Sequence, residues 1–92
     1  MKKCLRVLVS SQFPEGFLHG FVQKHARQMG LEGSAQFMGS DQLRIIVCGE
    51  KEIVDDFLDI LFKGDKEWRA ENIVAEPFVK DKDYRGVFRV IE

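Results

Sequence analysis

VLVSSQFPEGFLHGFVQKHARQMGLEG, residues 7–33, sets the architecture of the first half of this chain. Just before and into it, Leu5, Val7 and Val9 alternate with Cys4, Arg6 and Leu8, the period-2 pattern of a half-buried strand. Residues 10–16 hold Pro14 and Gly16 among polar neighbours and read as a loop. Residues 17–29 read as a helix: Leu18, Phe21, Val22, Ala26 and Met29 fall on one stripe, and Gly30 is a natural C-cap. A loop feeding a helix start is a candidate anion site, because unpaired N–H groups point outward there. His19 stands in the first turns, where a fixed cation would complete an oxyanion pocket.

Downstream, residues 33–39 and 43–49 read as a hairpin turning at Ser40-Asp41, with Leu43, Ile45 and Val47 on one face. Residues 50–63 form a second helix. Ile53, Val54, Phe57, Leu58 and Leu61 make its apolar stripe, Glu50 and Glu52 favour its start, and Gly64 stops it. Residues 68–75 read as a strand that Pro77 ends or confines to an edge, and residues 86–91 as a short final strand. The order β-α-β-β-α-β plus a terminal strand, joined by right-handed crossovers, predicts an α+β, ferredoxin-like split β-α-β sandwich. Both helices cover one face of an antiparallel sheet, and strands 1 and 3 are its central neighbours. That arrangement hosts many functions and names none.

Ninety-two residues, 45% hydrophobic with eight Phe, suit one domain, 1–92, with one modest core. Charged residues make up 32% and nearly cancel to a net −1, without the basic excess of a nucleic-acid binder. No apolar run approaches the ~20 residues of a membrane span. Met1-Lys2-Lys3 runs straight into a strand pattern with no signal-peptide character, so the expected compartment is the cytoplasm.

Residues 21–33 (FVQKHARQMGLEG), 49–64 (GEKEIVDDFLDILFKG) and 69–77 (RAENIVAEP) resemble the first helix, second helix and fourth strand of the acylphosphatase family. The likeness is ungapped from about residue 5 to 63 and looser to Ile91. The resemblance implies hydrolysis of acyl phosphates without metal, cofactor or nucleophilic side chain. A glycine-containing loop after strand 1 cradles phosphate with backbone N–H groups, an arginine at the helix start binds two phosphate oxygens, and an asparagine on strand 2 holds the attacking water. Phosphoryl chemistry asks a protein for position and charge stabilisation, which such parts supply.

At each of these points the chain departs from the pattern. His19 stands at the arginine position and Phe37 at the asparagine position. The loop that normally runs Gly-x-Val-Gln-Gly-Val is here Ser11, Gln12, Phe13, Pro14, Glu15, Gly16. Pro14 removes a donor, and Glu15 brings negative charge to a phosphate site. An unperturbed imidazole titrates near pH ~6.5 and cannot grip two oxygens as a guanidinium does. Phe37 cannot orient a water. The expectation is a domain that has lost acyl-phosphate hydrolysis. It would act instead by binding a small anion at the 11–19 loop or a protein partner. The competing class is an active acylphosphatase tolerating the substitutions, with Arg6, Arg44 and Lys24 as candidate replacement cations.

His25 sits on the apolar stripe, six residues from His19, too far round the helix to share a metal with it, and reads as a partly buried, hydrogen-bonded side chain. Cys4 and Cys48, expected on the helix-free face at one edge, are near enough for a disulfide but should be free thiols in a reducing compartment. That face, with Leu8 and Ile46 rimmed by Arg6 and Arg44, lacks the aromatics of an RNA-stacking platform and is a candidate partner surface. The simpler reading is that residues 80–85 and the last strand cover part of it, and Lys80-Asp81-Lys82-Asp83 reads as a solvated loop.

Overall fold

The computed structural model describes residues 1–79 and 85–91. Its elements are β1 (Lys2–Ser10), a π-helical segment (Leu18–Gln23) that continues as α1 (Lys24–Gln28), β2 (Glu32–Phe37), β3 (Gln42–Glu50), α2 (Lys51–Lys63), β4 (Asn72–Pro77) and β5 (Phe88–Ile91). They build one five-stranded sheet in the order β4-β1-β3-β2-β5. The charged run at residues 80–83 lies outside the described residues.

β1 and β3 are antiparallel central neighbours, with Val7 opposite Ile45 and Val9 opposite Leu43. Alternation turns Leu5, Val7, Val9, Leu43, Ile45 and Val47 to one face, where they are buried against Phe21, Val22 and Ala26 of the first helix and Val54, Phe57 and Leu61 of α2. Each of these side chains other than that of Ala26 contributes roughly 1.5–3 kcal/mol of burial.

Four expectations are corrected. The sheet is mixed, not antiparallel throughout, because β5 runs parallel to β2. β4 and β5 occupy opposite edges, so no tight turn joins them and nothing forces an antiparallel return. The helix expected over residues 17–29 opens as a wider π-helical segment around Gly20 before tightening into α1, while Leu18, Phe21 and Val22 keep their buried side. Trp68 does not begin a strand. Asp65 accepts N–H bonds from Glu67 and Trp68 at 2.8 Å each, and its own N–H donates to Trp68 O at 2.9 Å. This Asx-type turn folds Trp68 inward before β4 begins. Finally, Cys4 and Cys48 are joined in a disulfide rather than standing as free thiols. They face each other in the β1–β3 register, with Cα atoms 4.1 Å apart. Strand pairing therefore brings the sulfurs together whatever compartment was assumed.

Two glycines meet steric demands no other residue could. At Gly33 the backbone has φ +142°, and a Cβ would lie 1.8 Å from Ile46 O across the ladder. At Gly64, with φ +63°, a Cβ would lie 2.2 Å from Trp68 O. Gly33→Ala should therefore cost on the order of 3 kcal/mol, by strand separation plus backbone strain, as read by urea denaturation. An unchanged midpoint would contradict the close approach.

At the β1–α2 end, Asp55 accepts from Lys3 Nζ at 2.7 Å and Lys51 Nζ at 3.2 Å. The hydrogen bond from Lys3, then that from Lys51, holds its carboxyl below the usual carboxylate range. A depressed folded pKa means the pair's stabilisation is present above the unfolded aspartate value, near ~3.9, and fades as pH falls through the folded one. Carboxyl-detected NMR titration should find Asp55 the more acidic, and Lys3→Met should return it toward normal. An Asp55 pKa unmoved by that substitution would refute the pairing.

Candidate functional site

The segment after β1 is drawn in at its first residue. Ser11 is only 4% exposed. Its N–H donates to Asp41 O at 3.0 Å and its hydroxyl to Arg69 O at 2.9 Å. Phe17 N–H is also engaged, donating to Pro14 O at 3.1 Å. With Pro14 carrying no N–H, three of the loop's amide positions are unavailable to an incoming anion.

Between these anchors Phe13 turns toward the body of the protein. Its ring centroid lies 5.1 Å from Phe17, 5.4 Å from Phe37 in an edge-on arrangement, and 6.0 Å from Trp68 in a stacked one. Phe17 in turn lies 5.0 Å from Phe21 and 4.4 Å from Trp68. Contacts of this kind add roughly 0.5–1.5 kcal/mol each beyond area burial. Trp68 is buried among these rings, and its Nε1 has no conventional hydrogen-bond acceptor among the described residues. Phenyl faces are the remaining, weaker acceptors for that N–H.

The loop has not closed completely over the site. A cavity of about 610 Å³ remains, bounded by Phe13, Pro14, Glu15 and Gly16 of the loop and by Phe17, Leu18 and His19 at the helix start. Gln36 and Phe37 of β2, Gly39 and Ser40 of the hairpin and Ile91 of β5 complete it. Six of the sequence-selected positions thus converge on one cavity: Phe13, Pro14, Glu15, Gly16, His19 and Phe37. Ser11 and Gln12 are not part of its wall; the first is buried and the second exposed. Gln36, Ser40 and Ile91 escaped the sequence reading. Gln36 adjoins Phe37, so its proximity was legible. Ile91 arrives only through its parallel register with Gln36, which no local pattern announces.

His19 is exposed, with Nδ1 3.3 Å from Gln23 Oε1. None of the candidate replacement cations forms part of the cavity wall. Arg6 donates to Glu76 through Nε at 2.7 Å and lies 5.8 Å from the Phe78 ring centroid. Arg44 donates to Gln36 Oε1 at 3.2 Å, and Lys24 opens α1 exposed to solvent. His25 is part-buried as expected: its Nδ1–H donates to Phe21 O at 2.7 Å and its ring rests 4.7 Å from Phe21. Among the described residues, no three His, Cys, Asp or Glu side chains are grouped to hold a metal. No helix among them is long and apolar enough to cross a membrane.

A strand-loop-helix turn opening on a cavity, set in a two-layer α+β sandwich, defines a ferredoxin-like domain with its site at the end of β1. The acylphosphatase family model matches residues 7–90, and the chain belongs to that family. An acylphosphatase of Vibrio parahaemolyticus is 26% identical over 89 residues, 97% of either chain. One of Methanococcoides burtonii is 30% identical over 61 residues, 66% of this chain and 64% of that one. The solved structure of an acylphosphatase from Coxiella burnetii superposes with a TM-score of 0.85 at 26% identity, covering 98% of this chain and 93% of that one.

Phe13→Ala should remove the ring that holds the loop down. It is half-buried, so the expected loss is about 2 kcal/mol, below the range for a fully buried Phe, with Trp68 emission moving to the red. Unchanged stability and an unchanged spectrum would show that the loop is held by something else.

Proposed function

We propose that this domain no longer hydrolyses acyl phosphates and acts as a binding module, with the cavity beside His19 as its binding site. One observation carries the reading: the Phe37 ring packs on Phe13 at the cavity wall, where the family's chemistry needs a side chain that holds water. A phenyl group neither donates nor accepts a conventional hydrogen bond. Three further features support it. His19 replaces a permanent guanidinium fork. Pro14 and the engaged Ser11 N–H reduce the amide cradle. Glu15 opposes a phosphate dianion. Removing a single oxyanion donor elsewhere costs about 10²–10³ in rate, and losses of this kind at several positions leave little catalysis.

The competing reading, a working acylphosphatase, is favoured by the near full-length likeness to the Vibrio protein of that name. Overall likeness preserves a fold more readily than a reaction. We place the domain in the cytoplasm, the compartment expected from the sequence.

The direct test is turnover of benzoyl phosphate. The expected rate is indistinguishable from spontaneous hydrolysis. The His19→Arg, Phe37→Asn double variant should raise it, by up to the ~10² that one regained oxyanion contact can supply. Wild-type turnover comparable to the Vibrio enzyme would overturn the reading.

A further inference from the structure

The cavity differs in character as well as in catalytic parts from a site built for phosphate. Phe13, Phe17 and Phe37 supply three aromatic rings to its wall, Leu18 and Ile91 add aliphatic surface, and Glu15 contributes a carboxylate. Among the described residues, neither lysine nor arginine lines it. A volume of about 610 Å³ falls within the usual range for small-molecule pockets. Aromatic faces carry partial negative charge and attract cations, above all weakly hydrated ones whose charge is spread over methyl groups.

We propose that this cavity binds a small organic ammonium ion, a quaternary or aryl-alkyl ammonium, seated against the phenyl rings with its charge toward Glu15. The proposal rests on the non-hydrolytic reading given above. Charge decides among ligand classes. An anion would meet Glu15 and phenyl faces, with the His19 imidazole as the one described lining group able to carry positive charge. A neutral hydrocarbon would satisfy the apolar wall and gain nothing from the carboxylate. An organic cation uses both. Glu15 is exposed, so its share is a modest, solvent-screened attraction, and the rings supply the larger part.

The test is an amide NMR titration of the intact chain with benzyltrimethylammonium, benzyl alcohol and benzoate, run beside the benzoyl phosphate assay. Benzyltrimethylammonium should shift residues 13–19 and 36–40 and bind about tenfold tighter than benzyl alcohol, with benzoate weakest. Glu15→Gln should weaken the cation about threefold and leave benzyl alcohol unchanged. Phe37→Leu keeps an apolar wall but removes a π-face, so it should weaken the cation selectively. Both positions are exposed, and the unperturbed amide spectrum confirms folding for each variant. Binding of benzoate as tight as the cation, equal loss of cation and alcohol in Phe37→Leu, or no binding of the cation overturns the proposal while the non-hydrolytic reading stands. Rapid benzoyl phosphate turnover overturns that reading instead.

Discussion

The register of β1 against β3 is the constraint on which the rest depends. Pairing Val7 with Ile45 sends every second side chain of both strands into one core. A slip of one residue would turn those side chains to the opposite face. The same register sets Cys4 against Cys48 at one end and Ser10 against Gln42 at the other. One step beyond, Ser11 N–H meets Asp41 O, so the strand pairing runs on into the loop and takes a donor from it. Fold and site are coupled at that bond.

From there the loop is governed by aromatic packing. A polar loop with glycines can leave its amides free. This one carries Phe13, whose ring settles between Phe17, Phe37 and Trp68. The turn at Asp65 brings Trp68 beneath it, and Gly64 permits the close passage of chain that the turn requires. A site that would answer a phosphate with positive charge and directed N–H groups is walled here by phenyl rings and a carboxylate. A cavity remains at that place, beside His19.

Much of this was legible in the sequence, because burial follows periodicity. The inward residues of β1, β3 and α2 come from alternation or helical stripes, the caps from glycine, and the central position of β1 and β3 from element order and crossover handedness. The site positions were legible by counting from Phe21 and Gly33, and the structure gathers six of them at one cavity. What escaped depends on contacts between segments distant in the chain. Trp68 has strong strand propensity, yet the Asp65 turn and the aromatic cluster claim it. β5 was expected to run antiparallel, and its parallel pairing with β2 is set by contacts that six alternating residues do not announce. The cysteines were expected to be free on grounds of compartment, whereas their state in the structure follows from strand register. Gln36, Ser40 and Ile91 reach the cavity through the hairpin and a parallel pairing, neither of which leaves a motif.

On the proposed non-hydrolytic reading, the β1 loop and helix start do not hold phosphate. Titration of the uniformly labelled protein with inorganic phosphate at neutral pH is the decisive measurement. The backbone amides of residues 12–19 are expected to stay in place into the millimolar range. Saturable shifts there at submillimolar phosphate, with His19 among the residues that move, would contradict it.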